Sequence, residues 1–176
     1  MKKLLLFSII SMFLASCQSP KEEEINNSNE STIIGYEFND EGEKLNIIAG
    51  DVGITNIWLD YIQAHSDRNL EKIAEMDAED IAVYRPNGTI VKGRDAHNQV
   101  LGDWFKSSSP NWKVKWMVAN TVKQNDGKIQ HWLTTGNEFT DIIDGKETMI
   151  NTIADVNIVD GKIKRINIHN RAKEQE

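Results

Sequence analysis

The feature that most constrains the fold is a tripeptide that occurs three times in the second half of the chain. Asp-Gly-Lys begins at Asp126, Asp144 and Asp160, so the copies start 18 and 16 residues apart. The segments between them are rich in Thr, Val, Ile and Trp, which favour β-strands. Asp-Gly between two such segments is a strong signal for a two-residue hairpin turn. The sequence therefore predicts four antiparallel strands after Trp112, connected as a meander.

Helical periodicity precedes the meander. Apolar residues spaced for one helix face predict a helix over about 51–65 and another, capped by Ser66 or Asp67, that ends near Met76. The segment IAVYRPNGTIVKG then predicts a short hairpin with its turn at PNG. A third helix is predicted from the apolar spacing between Ala96 and Phe105.

This order of elements resembles the nuclear-transport-factor-2-like superfamily, and in particular a SnoaL-like domain. The resemblance covers roughly residues 51–171 and is carried by SDRNLEKIAEMDAEDIAVYRPNGTIVKGRDA and the closing VDGKIKRI. It implies an α+β fold, a cone-shaped α+β barrel with three N-terminal helices packed in a curved antiparallel sheet around an apolar pocket. Members include isomerases, dehydratases, cyclases and proteins without activity, so the resemblance leaves open whether this chain is an enzyme.

The first residues predict export and lipidation. Lys2 and Lys3 precede an apolar run that ends before Cys17, so residues 1–16 are interpreted as a signal peptide. LASC resembles the lipobox of bacterial lipoproteins, which implies that Cys17 is lipidated; a buried thiol is the alternative. Residues 17–45 are polar and acidic and are interpreted as a flexible tether, and residues 46–176 as the domain. The run SPKEEE resembles an export signal for the outer face of a Gram-negative outer membrane, or is a charged spacer.

Charge restricts the partners that this chain can have. Without Lys2 and Lys3, 18 basic side chains face 27 acidic ones, a net charge of −9. An acidic surface argues against nucleic acid and against binding to anionic headgroups, so membrane contact is expected through the lipid alone. The single cysteine and the wide spacing of the four histidines indicate no metal site, and no cofactor-binding motif is present in the sequence.

Strand register leads to a candidate site. Two-residue turns pair Asn125 with Lys128, Ile143 with Lys146 and Val159 with Lys162, and counting back from them assigns each side chain to a face. One predicted row across the inner face holds a tryptophan and three polar residues: Trp116, Asn137, Thr152 and His169. The neighbouring rows add further candidate ligand-binding residues: Thr135, Asn167 and Arg171.

Polar groups that converge on an apolar wall are typical of a small-molecule pocket. We expect a small apolar or mixed-polarity ligand, with His169 as general acid or base and Asn137 and Thr152 orienting a substrate oxygen. The alternative is that these polar groups satisfy one another. The resemblance places Arg85 where ketosteroid isomerases carry a catalytic carboxylate, which disfavours that activity. Arg85 with Tyr84 would instead pair with an anionic ligand.

A second hypothesis uses the outer face of the sheet. Register places Trp132 there, and an exposed tryptophan on a sheet is typical of a subunit interface. The chain would then be a noncatalytic interaction domain with a filled cone, and a homodimer through this face is compatible with both hypotheses.

Overall fold

The computed structural model describes residues 31–143 and 145–172. It contains three helices: α1 (Ile54–Ser66), α2 (Leu70–Met76) and α3 (Arg94–Trp104). The strands are β1 (Ile33–Phe38), β2 (Lys44–Ala49), β3 (Asp77–Tyr84), β4 (Ile90–Lys92), β5 (Asn111–Lys123), β6 (Ile129–Ile143), β7 (Lys146–Val159) and β8 (Lys162–Ala172). The predicted signal peptide, Cys17 and the beginning of the predicted tether lie outside the described residues.

The strands form one eight-stranded sheet in the order β1-β2-β5-β6-β7-β8-β3-β4. Strands β3 and β8 are parallel, and every other neighbouring pair is antiparallel. The three helices and the curved, unclosed sheet confirm the predicted cone-like α+β fold of nuclear-transport-factor-2 type.

The apolar core lies between the helices and the inner face of the sheet. Side chains from α1, α2 and α3 pack there against alternate residues of β3, β6, β7 and β8. Its most buried members have no exposed surface: Ile73, Ile81, Leu133, Val156 and Ile163. Burying such side chains stabilises the fold by roughly 1.5–3 kcal/mol each.

The second helix begins later than predicted. Ser66 is the last residue of α1, and the backbone takes a positive φ at Arg68 before α2 starts. Asn69 is the N-cap, because its side-chain oxygen accepts a hydrogen bond from the backbone N–H of Lys72 at 2.9 Å. Asn is as good a cap as Ser or Asp, so propensity alone did not identify the right residue.

The N-terminal boundary of the domain differs from the prediction. Residues 33–38 and 44–45 belong to the predicted tether, yet they lie in β1 and β2. The two strands form a hairpin, and β2 continues the sheet by pairing with β5. The compact unit therefore begins at Ser31 rather than at Asn46. Most of this hairpin is exposed, and Leu45 is its one buried side chain.

Two of the three predicted turns have the predicted pairing. Ile143 pairs with Lys146, and Val159 pairs with Lys162. The first turn is different, because the backbone N–H of Gln124 bonds the carbonyl of Lys128 at 2.8 Å and closes a loop of residues 125–127. A three-residue loop in place of a two-residue loop shifts β5 against β6 by one residue. That shift moves side chains to the opposite face.

Two bulges change the register further. One lies in β5, between Val114 and Trp116. The other lies in β8, where Asn157 is opposite Arg165 although the adjacent Ile158 is opposite Ile163. Each bulge adds one residue to one strand and reverses the inside-outside alternation beyond it.

These shifts break the predicted row. Asn137 pairs with Thr152 as predicted, but Trp116 lies opposite Gly136, and Asn170 rather than His169 lies opposite Thr152. Trp116, predicted on the inner face, is 45% exposed on the outer face, as is Val118 two residues along the same strand, at 48%.

No helix within residues 31–143 and 145–172 is long and apolar enough to cross a membrane.

Substitution by alanine should destabilise the protein to different extents at two glycines, Gly50 and Gly136. A Cβ on Gly50 would lie 2.7 Å from the backbone nitrogen of Asn120, whereas a Cβ on Gly136 would lie 2.3 Å from the ring of Trp116. Backbone in a sheet cannot move aside, but the exposed ring of Trp116 can. We expect Gly50→Ala to lower the free energy of unfolding by about 1–3 kcal/mol in urea titrations, and Gly136→Ala by clearly less.

The matched test for Gly136 is the background Trp116→Ala. There the added methyl has nothing to displace, and Gly136→Ala should be neutral or stabilising because alanine has less unfolded-state freedom than glycine. A loss of stability at Gly136 that is equal in both backgrounds would contradict the assigned contact.

Candidate functional site

A cavity of about 250 Å³ opens between the helices and the inner face of the sheet. Its wall is mostly apolar and aromatic, with Trp104, Trp112 and Phe139 packed against one another at ring-centroid distances of 5.0–6.1 Å. A few polar side chains interrupt this wall: His65, His97, Arg85, Asn137, Thr152 and Asn170. An apolar concavity with a few placed polar groups is the usual form of a small-molecule site.

A buried carboxylate lies behind this wall. Asp77, the first residue of β3, is 2% exposed, and its oxygen Oδ1 accepts a hydrogen bond from the hydroxyl of Tyr61 at 2.7 Å. Its other oxygen, Oδ2, lies 2.7 Å from Nδ1 of His97. Tyr61 lies on α1 and His97 on α3, so Asp77 connects two helices to the sheet.

The partner of Asp77 determines the tautomer of His97. A carboxylate accepts hydrogen bonds, so Nδ1 of His97 carries the proton that points at Asp77, and in the neutral imidazole Nε2 is the nitrogen with the lone pair. No group in the described part of the chain bonds to Nε2. His97 lines the cavity, and an imidazole oriented by a carboxylate is the arrangement used by general bases.

His65 is a second histidine in the cavity wall. Its Nδ1 donates to the backbone carbonyl of Tyr61 at 2.8 Å, and its ring lies 6.1 Å from that of His97. Burial lowers the pKa of His65 to about 4, with a smaller lowering from His97 and opposing contributions from the Tyr61 carbonyl and from Asp77. His65 is therefore neutral at pH 7 and adds no positive charge beside His97.

Tyr61 is held in its neutral form. Burial raises the pKa of its hydroxyl well above the ordinary value, and the negative charge of Asp77 raises it further. The hydroxyl therefore keeps its proton, which it donates to Asp77. Tyr61 serves as a fixed donor that shares the carboxylate with His97.

Four polar side chains form an arc along the inner face towards the mouth of the cavity. Asn137 on β6 pairs across the sheet with Thr152 on β7, which pairs with Asn170 on β8. Tyr84 at the end of β3 is the parallel neighbour of Asn167 on β8, so Arg85, the next residue, continues the arc just beyond β3. We call Asn137, Thr152, Asn170 and Arg85 the polar arc. Exposure increases along it, from the buried Asn137 to the exposed Arg85.

The two buried members of the polar arc are partly satisfied within the protein. The amide oxygen of Asn137 accepts from the hydroxyl of Thr135 at 3.2 Å, and its amide nitrogen lies 3.5 Å from the hydroxyl of Thr152. Mutual satisfaction was the predicted alternative for these residues. Both still line the cavity, and the side chains of Asn170 and Arg85 have no hydrogen-bond or ion-pair partner among the described residues.

One donor in the wall is unpaired. The indole nitrogen of Trp58, a residue that lines the cavity, is buried without a partner in the described structure. Leaving a buried donor unsatisfied costs about 1–3 kcal/mol. A ligand oxygen that reached this nitrogen would remove that cost.

Several predicted site residues lie elsewhere. His169, Trp116 and Arg171 border a hollow on the outer face, together with Lys115, so the placement of His169 inside the cone was wrong.

Two further predicted site residues, Asn167 and Tyr84, do not line the cavity. The side-chain oxygen of Asn167 accepts a hydrogen bond from Arg165, whose guanidinium stacks 4.3 Å above the ring of Tyr84. Trp132 lies between Asn120 and Asn157 on the neighbouring strands.

The residues around Asp77 were missed by the sequence analysis. His97 carried a usable signal, because it precedes Leu101 by four residues and so shares the predicted inner face of the third helix. The sequence around Asp77 has no such signal, because its burial depends on Tyr61 and His97, which are 16 and 20 residues away along the chain. No group of three or more potential metal ligands occurs within the described ranges.

The comparisons with known proteins support the fold. No protein-family model and no curated protein sequence matches this chain. Among solved structures, an LEH-like epoxide hydrolase of M. tuberculosis is similar with a TM-score of 0.57 at 13% identity, over 67% of this chain and 82% of that one. A ketosteroid isomerase-like protein of Erwinia carotovora atroseptica has a TM-score of 0.55 at 12% identity, over 68% and 95%.

A third similar structure is an epoxide hydrolase/cyclase-like enzyme of pyran ring formation in salinomycin. Its TM-score is 0.53 at 20% identity, over 68% of this chain and 91% of that one. At such identities the similarity establishes the fold alone.

The buried His65 predicts acid sensitivity. Its pKa is about 4 in the folded protein, against roughly 6.5 in the unfolded chain, so the unfolded state binds the proton first as the pH falls. The contribution of His65 to the free energy of unfolding is fully present above about pH 6.5. It is lost as the pH falls towards 4, which lowers the free energy of unfolding by up to about 3 kcal/mol. Urea titrations between pH 7 and 4 measure this loss.

His65→Asn is the matched variant, because an asparagine amide can still donate to the carbonyl of Tyr61 but does not titrate. We expect its stability to fall less steeply with pH than that of the wild type. Parallel profiles for the two proteins would show that His65 is not the group responsible.

Proposed function

We propose that this domain binds a small, largely apolar molecule inside the cone and transforms it by proton transfer through His97. The observation that carries the proposal is the 2.7 Å contact between Asp77 and His97 at the wall of the cavity. The fold shared with hydrolase-like, cyclase-like and isomerase-like proteins is consistent with it.

In this proposal Nε2 of His97 takes a proton from a substrate carbon or hydroxyl, and the imidazole becomes an imidazolium. The charge of Asp77 stabilises that cation, and the hydroxyl of Tyr61 keeps the carboxylate in place. The same nitrogen returns the proton to another substrate atom, which completes an isomerisation, elimination or ring closure. Such a group contributes typically 10²–10⁴-fold to a rate.

The surroundings of His97 support this role. His65 stays neutral, so it does not oppose the charge that forms on its neighbour. The aromatic wall keeps the site apolar, which strengthens the pairing between the imidazolium and the carboxylate. The resemblance implies that Arg85 replaces the catalytic carboxylate of ketosteroid isomerases, and the base proposed here lies on α3.

Proton exchange tests this proposal without knowledge of the natural substrate. 2-Tetralone is a small bicyclic ketone with acidic protons, and NMR follows their replacement by deuterium in D₂O. We expect the wild-type protein to accelerate the exchange. His97→Asn keeps a donor towards Asp77 but removes the base, and should lower the protein-dependent rate by about 100-fold or more.

His169→Asn is the matched control, because His169 lies on the outer face and should be irrelevant to exchange. Circular dichroism checks that both variants are folded. Exchange that persists in His97→Asn, or a wild-type protein that leaves the buffer rate unchanged, would contradict the proposal.

A second candidate function is a noncatalytic interaction domain or homodimer that uses the outer face. The observation in its favour is the exposure of three large apolar side chains there: Trp116, Val118 and Ile153. The exchange experiment separates the candidates, since this one requires no reaction in the cone.

We also propose that the chain is a lipoprotein of the cell envelope, anchored at Cys17, in the outer membrane of a Gram-negative bacterium. The support is the LASC sequence after an apolar run. The full-length protein expressed in a Gram-negative host should incorporate labelled palmitate and sediment with membranes. Cys17→Ser should lose the label, whereas Ser19→Ala should keep it; equal labelling would exclude lipidation at Cys17.

A further inference from the structure

The charged groups around the cavity are distributed unequally. Arg85 at the rim is the only lining residue of the described cavity with a permanent charge, and no Asp or Glu lines it. The carboxylate of Asp77 lies behind Tyr61 and His97, which use both of its oxygens. A ligand in the cavity therefore meets a cation at the mouth and no exposed anion along the wall.

The guanidinium of Arg85 is available for a ligand. It makes no ion pair or side-chain hydrogen bond within the described structure, although the chain as a whole is acidic. Two nearby lysines of the sheet are paired: Lys115 with Glu138 at 3.0 Å and Lys164 with Asp80 at 2.7 Å. Arg165, close by on β8, stacks on Tyr84 instead.

The neighbours of Arg85 in the polar arc add neutral hydrogen-bonding groups. Tyr84 is opposite Asn167 on the adjacent β8, so continuing this register by one residue brings Arg85 beside Ile168. Asn170, which also lines the cavity, lies two residues further along β8, about 7 Å from Ile168 at roughly 3.3 Å per residue. Thr152 follows on the next strand. A guanidinium with an amide and a hydroxyl nearby suits the two oxygens of a carboxylate.

We propose that the ligand is an apolar carboxylate: its anionic group binds at Arg85 and Asn170, and its apolar body extends between the aromatic wall and His97. This inference rests on the cavity of the proposed function but does not require that the bound molecule reacts. The two ends of the cavity would thus orient the molecule, because only one end carries a cation.

Matched neutral and anionic probes test the proposal. 2-Naphthoate and 2-naphthamide have nearly the same shape and differ in charge, and isothermal titration calorimetry measures both dissociation constants. We expect the wild-type protein to bind naphthoate more tightly than naphthamide. Arg85→Gln should weaken naphthoate binding by about 10-fold or more, as expected for a charge-assisted hydrogen bond, and change naphthamide binding by less than about 2-fold.

Arg165→Gln is the control, because it removes the same charge from the same sheet at a position that does not line the cavity. It should leave both affinities nearly unchanged. No binding of naphthoate at millimolar concentration, equal binding of the two probes, or equal effects of Arg85→Gln and Arg165→Gln would overturn the proposal.

His97→Asn separates this inference from the proposed catalysis. Loss of exchange with the preference for naphthoate intact supports both. Charge selectivity in a wild-type protein that does not catalyse exchange would support the carboxylate site and contradict the reaction. Exchange by a wild-type protein that binds both probes equally would support the reaction and contradict the carboxylate site.

Discussion

The buried carboxylate of Asp77 holds the functional end of this domain together. Removing a charge from water is costly unless hydrogen bonds compensate, and here both oxygens are occupied at 2.7 Å. The donors come from two helices, so satisfying one carboxylate also fixes α1 and α3 against the start of β3. The orientation of His97 follows from the same contact, because the proton on Nδ1 must point at the carboxylate.

The second constraint is the register of the sheet. Two bulges and one three-residue loop decide which residues of β5 and β8 face the helices. They turn Trp116 and His169 outwards and bring Asn170 into the cavity. A one-residue shift is enough for this exchange, since neighbouring side chains of a strand point to opposite faces. The chemistry of the wall thus depends on backbone irregularities as much as on residue types.

Together, these constraints produce a cavity with two unlike ends. Near α3 lies the imidazole of His97 backed by a carboxylate, with the neutral His65 beside it. At the mouth lies Arg85, with uncharged amides and a hydroxyl along the arc behind it. An apolar wall between two different polar ends favours one orientation of a bound molecule, and orientation is a large part of what a site contributes to a reaction.

The sequence by itself determined the class of fold. The three Asp-Gly turns and the helical periodicities predicted the meander, the three helices and the short hairpin, because such signals are local. It also identified Asn137 and Thr152 as cross-strand neighbours, since their turn has the simple two-residue form. Only the tertiary structure decided the site. The burial of Asp77 depends on packing between distant elements. The face of His169 depends on the bulge in β8 and that of Trp116 on the three-residue loop after β5, and neither has a clear local sequence signal.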